Sequence, residues 1–131
     1  MKKDIDIPVA RNVHVVAVKE WDDNFTAQQW NVYLINERQD AIEGVLVLSR
    51  GNTDDRKTSV LRHGLGLIEP GKAAKIEFIT EQVLNFTNEY LVTFFAEGKL
   101  FERNFLFEAG IISEANSEPV SALEAEGVFA V

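Results

Sequence analysis

The region Asn88–Glu108 (NEYLVTFFAEGKLFERNFLFE) carries the strongest structural signal in the chain. Two runs of aromatic and aliphatic residues flank one turn signal, Glu97-Gly98-Lys99. Apolar runs joined by a short turn that contains glycine are typical of a β-hairpin. Five of the nine phenylalanines lie in this region. Most of them must be buried, because together they would form a large apolar surface patch. The region therefore predicts a hairpin at the centre of a hydrophobic core.

The alternation of strand side chains predicts that this hairpin has two apolar faces. If Tyr90, Val92 and Phe94 point inward, the residues between them point outward. The outward apolar residues of the two strands are Leu91, Phe95, Leu100 and Leu106. This second face is too apolar to be fully hydrated. We therefore expect it to be covered by the acidic C-terminal segment 109–131 or by another copy of the chain.

Short apolar segments continue through the rest of the chain at a spacing of about ten residues. The predicted strands are 13–19, 29–36, 43–50, 58–68 and 73–80, with a late strand over Gly127–Val131. Within 73–80, we expect Ile76 and Phe78 to point inward. Lys75 and Glu77 then point outward.

About seven or eight short strands in one chain are typical of an all-β fold. We predict an antiparallel β-sandwich with an immunoglobulin-like or fibronectin-III-like arrangement. A small β-barrel is the alternative, because strand number and spacing do not separate the two. No segment with a helical period is long enough to cross over between parallel strands. We interpret residues 1–131 as a single β-sandwich domain with an irregular acidic segment over 109–131.

The net charge of −8 is concentrated in the second half of the chain, where residues 67–131 carry four basic and eleven acidic side chains. Such a surface repels phosphate backbones, which disfavours nucleic-acid binding. The absence of cysteine excludes disulfides and thiolate sites and favours a reducing compartment. No apolar run has the length of a signal peptide or a membrane span. We therefore expect a cytoplasmic protein that binds neither nucleic acid nor membrane.

The polar residues supply only a weak candidate site. His63 could act as a base or a metal ligand, but the sequence shows no companion ligand for it. Asp54 and Asp55 could offer oxygen ligands to calcium, although the polar loop 51–57 lacks the spacing of an EF-hand. The sequence does not decide whether His14 approaches His63. The sequence contains neither the G-x-S-x-G motif of a nucleophilic serine nor a glycine-rich motif that binds phosphate. We therefore predict no catalytic residue, cofactor or metal.

Two aromatic residues form a second candidate for contact with partners. Trp21 and Phe25 flank acidic loop residues, and loops at the end of a β-sandwich often carry binding residues. Alternatively, both side chains could fold back and plug the end of the core. We count Trp21 and Phe25, with the four outward residues of the hairpin, as the predicted interaction surface.

Three segments together resemble a family of small uncharacterised bacterial proteins. They are Trp30–Asn36 (WNVYLIN), Lys57–His63 (KTSVLRH) and Asn88–Tyr90 followed by Phe94-Phe95. The resemblance spans roughly Val13 to Phe107 and implies no catalytic residue. Some members carry a label that refers to phenylalanyl-tRNA synthetase. The residues give that label no support, because a synthetase core needs a much longer chain and arginine-bearing ATP-binding motifs. We predict that such a label is a misassignment.

The sequence favours two functional hypotheses over a third, which is an enzyme that uses His63 with a carboxylate. The first is a non-enzymatic module that binds a protein partner, which is either another protein or a second copy of the chain in a homodimer. The alternative is a small-ligand or carbohydrate-binding domain that uses Trp21, Phe25 and the loop 51–57.

Overall fold

The computed structural model describes residues 7–131 and contains two antiparallel sheets packed face to face. The strands are β1 (Val13–Trp21), β2 (Gln28–Asn36), β3 (Ile42–Asn52), β4 (Leu61–Ile68), β5 (Ala73–Ile79), β6 (Thr87–Ala96), β7 (Lys99–Phe107), β8 (Glu118–Val120) and β9 (Ala125–Phe129). The five-stranded sheet has the order β5-β2-β1-β9-β8, and the four-stranded sheet has the order β4-β3-β6-β7. The prediction of an all-β sandwich is confirmed. No helix within residues 7–131 is both long and apolar enough to cross a membrane.

The hairpin predicted from Asn88–Glu108 is formed by β6 and β7. Its strands pair in register from Asn88↔Phe107 to Ala96↔Lys99. The two turn residues Glu97 and Gly98 have φ angles of 53° and 70°. Positive φ at both central residues is what a type I′ turn requires, and this turn matches the twist of the flanking strands. The inward residues include Tyr90, Val92, Phe94, Phe105 and Phe107, all of which are buried.

The opposite wall of the core comes from the central strands of the five-stranded sheet. Val13, Val15 and Ala17 of β1 and Val32 and Leu34 of β2 are completely buried against the aromatic hairpin. Burial of each large apolar side chain contributes about 1.5–3 kcal/mol before the entropy of ordering is counted. The inward residues of both sheets therefore supply the main stabilisation of the fold.

The C-terminal segment is more regular than the sequence suggests. It contributes β8 and β9, so the sandwich has nine strands in the described part of the chain instead of seven or eight. The late strand covers Ala125–Phe129 and not Gly127–Val131. The signal was weak because β8 has only three residues and includes Pro119, and short turns of 3₁₀-helix interrupt the segment.

This segment covers a different face from the one expected. Val120 is buried with Val16, Val18 and Ile35 in a second apolar cluster on the outer side of the five-stranded sheet. The expectation that the acidic segment covers the outward face of the hairpin is therefore wrong. The physical reason is the pairing of β9 with β1, which holds the segment on the other sheet.

The predicted orientation of Glu77 and Phe78 in β5 is also wrong. The β2–β5 ladder shifts register between Val32 and Tyr33, so that Glu77 lies opposite the inward-facing Val32. An extra residue in one strand reverses the facing of every residue beyond it. As a result, Glu77 points between the sheets, and the Phe78 side chain is 52% exposed.

Candidate functional site

The register shift in β5 creates a polar cluster inside the sandwich. The carboxylate of Glu77 accepts hydrogen bonds from the hydroxyl groups of Ser49 at 2.9 Å and Tyr90 at 2.8 Å. His63 Nε2 lies 2.9 Å from Glu77 Oε1. Glu77 belongs to the five-stranded sheet, whereas its three partners lie on β3, β4 and β6. The cluster therefore joins the two sheets across the core.

Three strands of the four-stranded sheet position the partners of Glu77. Ser49 pairs with Leu61 on one side and with Tyr90 on the other, and Val47 pairs with His63. These residues share the inward face of the sheet because strand alternation places residues 47 and 49 on the same side. Ser49 and Tyr90 are only 3% and 1% exposed. Their hydroxyl groups therefore need an internal partner, and Glu77 supplies it.

The environment of Tyr90 opposes ionisation of its phenol. Burial, and next the negative charge of Glu77, raise the pKa of Tyr90 well above its ordinary value. The phenol consequently stays protonated and donates to Glu77 throughout the neutral range.

The arrangement of Ser49, His63 and Glu77 differs from a catalytic triad. In a triad, one ring nitrogen of the histidine accepts the serine proton and the other donates to the carboxylate. Here the same atom, His63 Nε2, contacts both Glu77 Oε1 at 2.9 Å and Ser49 Oγ at 3.2 Å. Because a carboxylate oxygen only accepts, we assign the proton to Nε2. His63 in this state does not accept a proton from Ser49, so the three residues do not have the geometry of a triad.

A cavity of about 250 Å³ opens beside this cluster, between the edge strands β4 and β5. Its lining includes the polar residues Ser49 and Glu77 and the apolar residues Ile79 and Val83. Two further lining residues, Leu61 and Phe78, have side chains that are 53% and 52% exposed. The cavity thus combines apolar walls with a few convergent polar groups, which is the usual composition of a small-molecule site.

A second candidate site is the outer surface of the four-stranded sheet. We name it the leucine face, and it consists of Leu46, Leu48, Leu91, Phe95, Leu100 and Leu106. The register confirms that the four hairpin residues of this set point outward, as predicted. Within residues 7–131, none of the six belongs to either apolar cluster of the protein. Phe95 is 52% exposed, and a shallow depression of about 300 Å³ lies over Leu48 and Leu91.

Charged residues are unevenly distributed around the leucine face. Arg50 and Arg62 lie toward the end where β3 finishes, and Arg50 forms an ion pair of 3.5 Å with Glu89. Glu43 and Glu102 lie toward the opposite end, beside Phe95 and Thr93. The pairing of Arg62 with Leu48 and of Glu102 with Thr93 places these side chains on the same outer surface. A register shift between Glu43 and Leu46 turns Glu43 to this side as well, opposite Phe95. The face therefore has a more basic end and a more acidic end.

Trp21 and Phe25 do not plug the end of the core, because their side chains are 53% and 76% exposed. Trp21 ends β1, and Phe25 lies in the following loop with a positive φ of 56°. His63 lies on β4 and contacts Glu77 of β5 inside the sandwich, whereas β1 is separated from β5 by β2. Trp21, Phe25 and His63 therefore do not converge on one surface.

The acidic loop residues and the second histidine are also remote from the polar cluster. Asp54 and Asp55 are exposed in the loop after β3, and Asp55 accepts a weak hydrogen bond of 3.3 Å from Thr53. His14 contacts Glu37 at 2.9 Å on the outer side of the five-stranded sheet, so it does not approach His63. Within residues 7–131, no group of three or more histidine, aspartate or glutamate side chains is arranged to hold a metal ion.

Sequence reasoning identified His63 but missed Glu77, Ser49 and Tyr90 as its neighbours. Alternation along 73–80 placed Glu77 in solvent, and only the register shift reverses it. The one signal available was the isolated serine in the otherwise apolar inward pattern of β3, since a buried hydroxyl group needs a partner.

Comparison with protein-family models, curated proteins and solved structures finds no match to this chain. The resemblance to small bacterial proteins therefore stays a prediction.

Proposed function

We propose that this protein is a non-enzymatic interaction module that forms a homodimer through the leucine face. One observation carries the proposal. The chain covers the outer side of its five-stranded sheet with its own C-terminal segment, but leaves the leucine face without a cover in the part that the structure describes. A contiguous apolar surface of this kind is typical of a contact site.

The connectivity supports an interaction module of the immunoglobulin-like class. The first seven strands pair as β1-β2-β5 and β4-β3-β6-β7. This corresponds to strands A, B and E in one sheet and C′, C, F and G in the other. We also propose a cytoplasmic location, which the absence of cysteine favours.

The size of the leucine face is compatible with a weak dimer. Four strands spaced about 4.8 Å apart, over about eight residues of about 3.3 Å each, cover roughly 500 Å² per protomer. Two such surfaces bury roughly 1,000 Å², which is near the lower limit for a specific interface. We therefore expect a dissociation constant in the micromolar range.

The charge distribution favours a second copy as the partner. A twofold axis that lies between the two faces and runs across the strands places the basic end of one protomer over the acidic end of the other. Arg50 and Arg62 then approach Glu43 and Glu102 of the second copy. Such pairing suppresses other orientations more than it adds affinity.

Light scattering after size-exclusion chromatography, over a range of protein concentrations, tests the proposal. We expect wild-type protein to approach the dimer mass at high concentration, and Leu91→Glu to remain monomeric because it places a charge at the centre of the apolar face. Phe95→Glu provides a second variant at a more exposed position. Phe25→Glu is the control, since this side chain is 76% exposed at the end of the other sheet.

A wild-type protein that stays monomeric at the highest concentration contradicts the proposal. Loss of the dimer in Phe25→Glu but not in Leu91→Glu also contradicts it, and moves the interface to the Trp21 and Phe25 surface.

A further inference from the structure

We propose that the cavity between β4 and β5 is a binding site for a small organic cation, an alkylammonium group attached to a short apolar chain. The inference is independent of the leucine face, which lies on the opposite side of the four-stranded sheet.

The carboxylate of Glu77 supplies the recognition group. A carboxylate offers about four acceptor positions, and the protein fills three of them with Ser49, His63 and Tyr90. One acceptor position on Oε2 therefore remains for a donor from outside. An ammonium group suits it, because it adds Coulomb attraction between opposite charges to a hydrogen bond with an ionised acceptor.

The other lining residues favour a cation over an anion. Arg50 is the second charged residue in the lining, and its guanidinium is already paired with Glu89 on the outer surface. Glu77 is the acidic residue of the lining. With Arg50 paired elsewhere, the charge that a ligand meets in the cavity is negative, which favours a cation.

The volume and the walls suit a short apolar chain. A cavity of 250 Å³ corresponds to about eight water molecules at roughly 30 Å³ each. A six-carbon amine has a comparable number of non-hydrogen atoms. Leu61, Ile79 and Val83 line the cavity with aliphatic groups that such a chain can contact.

Three probes with the same six-carbon chain isolate the contribution of charge. They are hexylammonium, hexan-1-ol and hexanoate, each titrated into ¹⁵N-labelled protein while amide chemical shifts are recorded. We expect hexylammonium to give saturable shifts centred on Ser49, Leu61 and Phe78, with an affinity about tenfold higher than that of hexanol. Hexanoate should bind more weakly than hexanol because it faces a carboxylate of like charge.

Two variants and one matched control complete the experiment. Glu77→Gln preserves the shape of the side chain, so it should lower the affinity for hexylammonium by about tenfold. The affinity for hexanol should fall clearly less, by about threefold at most, because only the ammonium also loses a Coulomb attraction. Leu61→Ser changes a half-exposed side chain of the lining and should lower the affinities for hexylammonium and hexanol alike, by about two- to fivefold. The control Glu20→Gln alters a carboxylate that also accepts from a tyrosine hydroxyl, that of Tyr33 at 2.6 Å, but lies outside the cavity lining.

Several results would overturn the proposal. One is the absence of saturable shifts with hexylammonium, and another is equal affinity for hexylammonium and hexanol. An undiminished affinity in Glu77→Gln has the same consequence. If that variant fails to fold, Leu61→Ser decides, and an unchanged hexylammonium affinity in it contradicts the site.

Discussion

Replacement of Tyr90 by phenylalanine tests the polar cluster that joins the two sheets. The substitution removes one hydroxyl group, which donates to Glu77 Oε2 at 2.8 Å. The ring itself is retained, together with its edge-to-face contact with Phe107 at 5.9 Å between ring centroids. The change in stability therefore reports the hydrogen bond and not a loss of packing.

The expected loss follows from the surroundings of Glu77. A hydrogen bond to a charged group contributes about 1.5–3 kcal/mol. We expect the lower end, about 1.5 kcal/mol, because the Glu77 side chain is 20% exposed and the adjacent cavity admits water in place of the lost donor. With an unfolding entropy of about 2.1 cal/mol/K per residue over 131 residues, this lowers the melting temperature by about 5 °C.

Urea unfolding followed by tryptophan fluorescence measures the free energy directly. Trp30 is only 8% exposed, so its emission changes when the core opens. Tyr33→Phe is the matched control, since its hydroxyl group donates to Glu20 on the outer surface at 2.6 Å. That bond is only partly buried, so water replaces part of it, and we expect a smaller loss of about 0.5–1 kcal/mol.

Two results would refute the reasoning about Tyr90. The first is a loss in Tyr90→Phe that is no larger than that in Tyr33→Phe. The second is an altered dependence of the unfolding free energy on urea concentration. Such a change would mean that the substitution altered the compactness of the denatured or the native state, and did not simply remove one hydrogen bond.

Two further predictions concern other parts of the fold. In Gly127→Ala, the new Cβ would lie 2.6 Å from the backbone oxygen of Ala17. We expect this substitution to lower the free energy of thermal unfolding by about 1–3 kcal/mol. Gly64→Ala, whose new Cβ would have nothing within 4 Å, should leave the free energy unchanged. Equal effects of the two substitutions would contradict the close approach of β9 to β1. Burial and the hydrogen bond to Glu20 raise the pKa of Tyr33 from 10.0 to about 12. The neutral phenol therefore stabilises the fold fully below pH 10, and this contribution is lost as the pH rises from 10 to 12. Tyr33→Phe should show a shallower fall of the unfolding free energy over that interval, and an identical fall would exclude the linkage.

The outward apolar residues of the hairpin were accessible to sequence reasoning, whereas the polar cluster was not. Strand alternation in β6 and β7 is regular, so Leu91 and Phe95 were placed on the correct face. The inward position of Glu77 depends on one extra residue in the β2–β5 ladder. Sequence patterns do not show such a residue, because the shift is defined only relative to the partner strand.

The sequence by itself determined the all-β class, the central hairpin and its turn. These features depend on local information, namely the two-residue alternation of apolar side chains and the glycine at a position of positive φ. The tertiary structure alone decided which outer face the C-terminal segment covers and which residues meet Glu77. Both outcomes depend on pairing between segments far apart in the chain, as when β9 joins β1 and covers Val16 and Val18. The pattern of residues within one strand does not identify its partner, because any strand with a free edge could pair with it.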